Sequence, residues 1–136
     1  MKLVFKNHEL VPAINFLKQL ELKASESRHR TKLVNLLLKA ADGLQESEVE
    51  LLEEYGVKDE SGKLKKTEGG DYQLEELRAG EFHAEQKKLL LEEVTIEPGM
   101  YLENIQQMQG ILDAYTGVIS GETAEIYDRL LSELEK

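Results

Sequence analysis

The stretch that decides the fold is residues 25–55, which read SESRHRTKLVNLLLKAADGLQESEVELLEEY and contain no Pro and one Gly, Gly43. Its apolar residues recur at steps of three and four, a spacing that places side chains on one face of a helix. The pattern predicts one continuous helix of roughly 40–45 Å, at about 1.5 Å per residue. The alternative is a break at Gly43 and a second helix capped by Ser47. Propensity alone rarely keeps a helix folded in water, so this apolar face predicts partner helices.

The remaining patterns predict a minor β element and four more helices. Leu3–Phe5 reads as a short strand, and the β-branched run at 93–97 is its natural mate. Helix caps are expected at Asn7, at Ser25 or Ser27, and at Ser120. Of the four further helices, the first is expected to end near Leu22. The next two are expected to span about 74–92 and 100–115, and the last is expected to follow Ser120. In two of these helices we expect Leu77 and Leu102 to face inward.

Between the long helix and the next one, Gly56 is a natural C-cap. Two turn signals follow, Asp59-Glu60-Ser61-Gly62 and Glu68-Gly69-Gly70-Asp71. They predict a small protruding hairpin or loop near 60–73. No linker is long enough to divide the chain. The sequence therefore predicts a mainly α fold: a single domain over residues 1–136, a bundle of about five helices around a long central helix, with a minor two-stranded β element.

Composition excludes several classes of function. The 136 residues carry a net charge of −10 and no Cys, which removes disulfides, thiol catalysis and Cys-based metal sites. No apolar run approaches the ~20 residues of a membrane span, and the start is too quickly charged for a secretory signal. An acidic surface argues against direct nucleic-acid binding and against anionic membranes, but it suits a basic protein partner.

Charge is distributed unevenly and suggests two candidate sites. Around the start of the long helix, a basic corner is interpreted either as a phosphate or acidic-partner site or as cations that pair with acidic helices elsewhere. Its residues are Lys23, Arg28, His29, Arg30 and Lys32. Farther along, an acidic face is interpreted either as a partner-binding surface or as a solvated face. Its residues are Glu46, Glu48, Glu50, Glu53, Glu54, Asp59 and Glu60.

No catalytic or cofactor motif is present. His8, His29 and His83 lie on three different predicted elements, and Glu26 with His29 forms only one copy of the i, i+3 pair that di-iron bundles use twice. A nucleophile elbow and a phosphate loop are both missing. We therefore predict no enzyme, no catalytic residue, no metal and no cofactor.

The opening run KLVFKN at 2–7, the run SRHRTKLV at 27–34, LLEEY at 51–55 and the ending around Tyr127-Asp128-Arg129-Leu130 resemble a small family of proteins of unknown function from tailed phages and prophages of Gram-positive bacteria. The resemblance covers nearly the whole chain. It implies a phage source and action in the cytoplasm of an infected host cell. The family has no established activity or site residues to carry over.

Two functions are expected from these observations. The first is a non-enzymatic phage accessory protein that acts by protein–protein contact, with self-association into a homo-oligomer as one form of such contact. The second is an acidic, nucleic-acid-mimicking inhibitor of a host defence nuclease, of the anti-CRISPR or another anti-defence type, whose partner is a basic nucleic-acid-binding host protein. Spaced carboxylates on a rigid helix can present charge much as a phosphate backbone does.

Overall fold

The structure, a computed structural model, describes all of residues 1–136 and is 65% helical, with five α-helices and a two-stranded antiparallel sheet. The predicted mainly α class is confirmed. The central helix is uninterrupted through Gly43. In chain order the elements are β1 (Leu3–Lys6), α1 (Leu10–Gln19), α2 (Ala24–Tyr55), α3 (Ala79–Leu91), β2 (Glu93–Ile96), α4 (Leu102–Asp113) and α5 (Glu122–Leu134).

The chain divides into two compact units. Unit 1 comprises Met1–Ala41 and Glu93–Lys136, and unit 2 comprises Asp42–Glu92. The helix α2 runs through both units without a break. The expectation of a single domain over residues 1–136 stays a prediction.

In unit 1 a small sheet joins the N-terminal strand to the strand at Glu93–Ile96. β1 pairs with β2 in antiparallel register, with Leu3 opposite Ile96 and Phe5 opposite Val94. Leu3, Phe5 and Ile96 are buried, as period-two alternation requires for one inward face. The predicted pairing of these two strands is confirmed.

The core of unit 1 is a cluster of buried side chains from both strands and from α1, α2, α4 and α5. Phe16 meets Tyr127 edge to face at 6.2 Å between ring centroids, and the Tyr127 hydroxyl donates to the Leu112 carbonyl at 2.6 Å. The buried members are Leu3, Phe5, Leu10, Ala13, Ile14, Phe16, Leu17, Leu20, Leu33, Val34, Leu37, Ile96, Ile105, Met108, Leu112, Leu130 and Leu134.

Unit 2 has a much thinner core. Its buried apolar side chains are Leu44, Tyr55 and Phe82. Tyr55 and Phe82 meet edge to face at 6.1 Å, and the Arg78 guanidinium lies over the Tyr55 ring at 4.3 Å. Because few apolar groups are removed from water, aromatic and cation–π contacts contribute a larger share of its cohesion.

The segment between α2 and α3 forms two successive turns instead of one hairpin. Lys58 bridges to Leu64 and Lys66 bridges to Tyr72. Each turn contains a glycine in the left-handed region, Gly62 at φ 85° and Gly70 at φ 89°. The two turns have equivalent backbone hydrogen bonds, eight residues apart along the chain. Gly62 N–H donates to the Asp59 carbonyl and Gly70 N–H to the Thr67 carbonyl, both at 3.0 Å. The single hairpin predicted near 60–73 is therefore not formed, and two turns with isolated bridges take its place.

Several local expectations are wrong. Leu77 is 99% exposed and Leu102 is 39% exposed. Each lies in or directly after a three-residue 3-10 helix, Glu76–Arg78 or Gly99–Tyr101. Three residues per turn shift the side-chain directions away from the α-helical pattern that was extrapolated to them.

The helix starts also differ from expectation. Asn7 lies inside a 3-10 helix, and Ser25 and Ser27 lie inside α2. The α2 start is capped instead at Lys23, whose N–H donates to the Glu26 carboxylate at 3.3 Å. The N-cap of α5 is Gly121, one residue after Ser120.

Candidate interaction surfaces

Three carboxylates form an exposed row on the part of α2 that belongs to unit 2. Asp42, Glu46 and Glu50 stand at successive i, i+4 positions and have no ion pair or side-chain hydrogen bond. Val49 is 46% exposed and lines a shallow depression with these three acids and Gln45. We call Asp42, Glu46 and Glu50 the acidic stripe. Sequence reasoning included Glu46 and Glu50 but missed Asp42, whose i−4 relation to Glu46 was the available signal.

The acidic stripe is unfavourable for the helix that carries it. Like charges at i, i+4 destabilise a helix by about 0.2–0.5 kcal/mol per pair. The last turn of α2 also contains acids and no basic residue, so carboxylates lie near the negative end of the helix dipole. Helix stability therefore gives no reason for this charge distribution.

The other predicted acids of α2 have different surroundings. Glu53 is paired with Lys58 at 3.2 Å, and Glu54 is paired with Arg78 at 3.5 Å. Glu48 is half-buried and lies about 200° around the helix axis from Glu46. The predicted acidic face is thus divided between a free row and internally paired residues.

The two acids beyond α2 lie in the first turn of the connecting segment. The Asp59 carboxylate accepts hydrogen bonds from the Ser61 hydroxyl at 2.6 Å, the Ser61 N–H at 2.8 Å and the Lys63 N–H at 3.0 Å. The bond from the Ser61 hydroxyl is the main cause of a lowered Asp59 pKa, followed by the bond from Lys63. Asp59 therefore shapes the turn, whereas Glu60 is exposed in it.

The basic corner is separated by the structure into residues with different tasks. Arg30 donates from one guanidinium nitrogen to the Leu17 carbonyl at 3.0 Å and to the Leu20 carbonyl at 2.7 Å. These carbonyls lie at the end of α1, where helical partners are missing. Arg30 is therefore a cap for α1. The acidic-helix pairing considered for these cations is not formed, because none of them has an ion pair.

Three of the remaining basic residues, Arg28, His29 and Lys32, lie near the start of α4. Arg28 and His29 line a polar depression with Glu103, Asn104 and two glutamines, and His29 Nδ1 is 3.2 Å from the Asn104 amide nitrogen. The Lys32 ammonium lies over the Tyr101 ring at 4.9 Å. Arg28 and Lys32 share one face at i, i+4, while the side chain of Lys23 is exposed before α2.

Sequence reasoning missed a buried ionic network in unit 1. Glu133 is only 2% exposed. Its carboxylate contacts Arg129 Nη1 at 2.8 Å and Lys136 Nζ at 2.6 Å and accepts the Val4 N–H at 2.6 Å. Arg129 also binds Glu9 at 2.9 Å and the Val4 carbonyl at 2.7 Å. We call Glu9, Arg129 and Glu133 the strand clamp. The one available signal was that Arg129 is an isolated cation in an acidic region.

The strand clamp shifts the pKa of both central groups. Burial alone would raise the pKa of Glu133, but hydrogen bonds from Lys136, Val4 and Arg129 outweigh it and hold this pKa below its usual value. Burial opposes the charge of Arg129, yet the bonds to Glu133 and Glu9 raise its pKa. Both groups are therefore held in their charged forms. Since they bond to β1 and to each other, their role is to join α5 to the strand.

No three His, Asp or Glu side chains are grouped so that they could hold a metal ion. None of the helices combines the length and apolar character that crossing a membrane requires. No protein-family model, curated protein or solved structure matches the chain.

Proposed function

We propose that this protein is a non-enzymatic phage accessory protein that works by protein–protein contact in the cytoplasm of an infected bacterium, with the acidic stripe as its contact surface. The phage source rests on the sequence resemblance described above. The partner is a basic protein, because an uncompensated row of carboxylates attracts cationic side chains.

The observation that carries the proposal is the lack of internal compensation at Asp42, Glu46 and Glu50. Elsewhere in unit 2, some acids do have partners: Glu53 pairs with Lys58, and Glu54 pairs with Arg78. A partner cation would relieve the repulsion within the stripe, and the adjoining exposed Val49 adds apolar contact area. Interfaces of this composition combine polar specificity with a small apolar centre.

The experiment compares capture from infected cells by three forms of the protein. The stripe variant carries Asp42→Asn, Glu46→Gln and Glu50→Gln. The control carries Glu122→Gln, Glu125→Gln and Asp128→Asn, which remove the same charge from exposed positions of α5. A partner should be retained by the wild type and the control and lost by the stripe variant, and its purified form should bind with the same ranking. Equal binding of the partner by all three forms would contradict the proposal.

A nucleic-acid-mimicking inhibitor of a host defence nuclease is the second candidate. It is favoured by the six acids between residues 42 and 54, about one for every 3 Å of helix axis, close to the 3.4 Å per phosphate of one DNA strand. The stripe alone has one carboxylate about every 6 Å, and for this reason mimicry ranks second. A mimic should compete with DNA for its partner, and its affinity should fall steeply with salt. Binding that is indifferent to both would exclude mimicry and leave the first proposal standing.

A further inference from the structure

The two edges of the small sheet in unit 1 differ in how their backbone groups are satisfied. On the outer edge of β1, the strand clamp binds both the N–H and the carbonyl of Val4, at 2.6 Å and 2.7 Å. The Lys6 N–H donates to Glu9 at 2.7 Å. Charged side chains thus occupy the place that a third strand would take, and this edge is closed to pairing.

The outer edge of β2 is open. In an antiparallel pair, residues that bond toward the partner strand alternate with residues whose backbone groups point away from it, and opposite residues are of the same kind. Val4 stands opposite Thr95, and Lys6 stands opposite Glu93. Because Val4 and Lys6 bond outward, Thr95 and Glu93 also direct their N–H and carbonyl groups outward. Both residues are exposed, and these backbone groups bond to no other part of the chain.

The charge pattern along β2 indicates what kind of strand would fit. Glu93 and Glu97 are both exposed and flank the free edge at Thr95. On the side of β2 that is paired with β1, Lys6 stands opposite Glu93, and Lys2 pairs with Glu97 at 3.7 Å. The sheet therefore already contains one strand with cations four residues apart facing these two acids. Opposite charges at facing positions stabilise a strand pair.

A second copy of this chain is a poor fit for the same edge. If two β2 strands paired antiparallel with their inward faces on the same side, centred on Thr95, Glu93 of each copy would face Glu97 of the other. Shifting the register by one residue would turn the inward face of one strand outward. Like charges directly opposite each other are destabilising, so in this centred register the glutamates oppose self-pairing and favour a basic strand.

We propose that the outer edge of β2 is a docking site for an extended segment of a basic partner protein, which carries Lys or Arg at positions i and i+4 and adds to the sheet antiparallel to β2. Main-chain bonds to Thr95 and Glu93 supply affinity, and the two glutamates supply selectivity. This inference goes beyond the proposed function, because it uses other residues in unit 1 and holds or fails independently of the acidic stripe.

The test is an NMR titration of the intact, isotope-labelled protein with the peptide acetyl-Lys-Thr-Val-Thr-Lys-amide. We expect amide shifts confined to β2 and its flanks, a dissociation constant on the order of 1 mM, as befits a short unstructured peptide that makes few contacts, and slower exchange of the Thr95 amide proton. The matched peptide with Glu in place of both Lys should bind at least about tenfold more weakly. Absence of β2 shifts with the lysine peptide would overturn the proposal.

Two protein variants separate edge pairing from other modes of binding. Thr95→Pro removes an outward N–H that the fold does not use, so binding should be lost, whereas Thr95→Ala should retain it. The double variant Glu93→Lys with Glu97→Lys should exchange the preference for the two peptides, which keeps the proposal testable even if the proline variant fails to fold. Unchanged binding by a folded Thr95→Pro, or an unchanged peptide preference, would contradict edge pairing. Thr95 protection that rises with protein concentration alone would show that a second copy covers the edge, which also overturns the proposal.

Discussion

Leu37 and Leu44 lie seven residues apart on one continuous helix, yet their surroundings differ. Leu37 belongs to unit 1 and is fully buried, whereas Leu44 belongs to unit 2 and remains 8% exposed. Around Leu37, strands and helices supply a contiguous apolar cluster. Around Leu44, buried apolar groups are few and acidic residues are many. One continuous helix therefore contributes to a closed core in unit 1 and carries an exposed acidic surface in unit 2.

The charge of the two units follows the same division. By our count, unit 2 has 15 acidic and seven basic residues, whereas unit 1 has 12 acidic and ten basic residues. A thin core with strong self-repulsion lowers local stability. Ligand-binding segments are commonly drawn from regions of low local stability. Binding of a partner can then supply free energy that holds such a region in its folded form.

The largest effect expected from this comparison comes from truncating the two leucines. Leu37→Ala should lower the free energy of unfolding by about 4 kcal/mol, because it leaves a cavity in a closed core. Leu44→Ala should cost about 2 kcal/mol, because its site is nearer to solvent and can collapse. Urea unfolding followed by circular dichroism measures both values. Equal losses would remove the distinction between the units.

A smaller effect is expected from the strand clamp. Glu133→Gln should cost about 2 kcal/mol at pH 7, because it removes the charge that compensates the partly buried Arg129. The matched control is Glu135→Gln, an exposed change at the C-cap of α5, which should stay within about 0.5 kcal/mol.

The same variant makes a prediction about pH. The pKa of Glu133 is lowered in the folded state, so its ionised form stabilises the fold above the ordinary glutamate pKa of about 4.3. That contribution is lost as pH falls through the lowered folded-state pKa. The stability difference between wild type and Glu133→Gln should therefore be full at pH 7 and shrink in strong acid. A difference that is constant from pH 7 down to acid unfolding would exclude this role for Glu133.

Two glycines of unit 2, Gly43 and Gly56, differ in how closely other atoms surround them. A Cβ at Gly56 would stand 2.5 Å from both the Leu52 carbonyl oxygen and a Leu64 methyl carbon, whereas nothing lies within 4 Å of a Cβ at Gly43. Gly56→Ala should therefore cost about 1–2 kcal/mol, and Gly43→Ala should stabilise α2 by about 0.5–1 kcal/mol. Thermal unfolding of the two variants shows whether each substitution raises or lowers stability. A stabilising Gly56→Ala would show that the backbone at Gly56 is not tightly packed against Leu52 and Leu64.

The smallest effect tests whether the acidic stripe is a burden on the fold. Glu46→Gln removes two like-charge i, i+4 pairs, with Asp42 and Glu50, and should raise stability by about 0.5 kcal/mol at low salt. Added salt should reduce the gain. Glu48→Gln is the matched control, because no acid lies three or four residues from Glu48. A loss of stability in Glu46→Gln would show that Glu46 has a structural partner.

The sequence predicted those features that depend on periodicity. Steps of three and four residues identified α2, and alternation with β-branched residues identified both strands. What it missed depends on contacts between distant residues or on local changes of helix type. Glu133 and Val4 are 129 positions apart, so no local pattern reveals their bond. Leu77 and Leu102 follow the apolar pattern, but the 3-10 geometry beside them turns them outward.

The candidate surfaces show the same limit. Composition located the basic and acidic clusters, but only the fold shows which charged side chains have partners within the protein. Arg30 caps α1 and Asp59 closes a turn, while Asp42 joins Glu46 and Glu50 in a free row. Spacing along a helix can indicate that two side chains share a face. It cannot reveal that a side chain such as Arg30 hydrogen-bonds to a backbone carbonyl of another helix.

Native-state hydrogen exchange along α2 is the sharpest test of the difference between the two units, because a single helix passes through both. Amides near Leu37 should exchange only with a free energy close to that of global unfolding. Amides between residues 44 and 54 should exchange through a local opening of distinctly lower free energy. Uniform protection from Leu33 to Glu54 would contradict this difference in local stability, because it would mean that the acidic part of α2 is held as firmly as the part inside the core of unit 1.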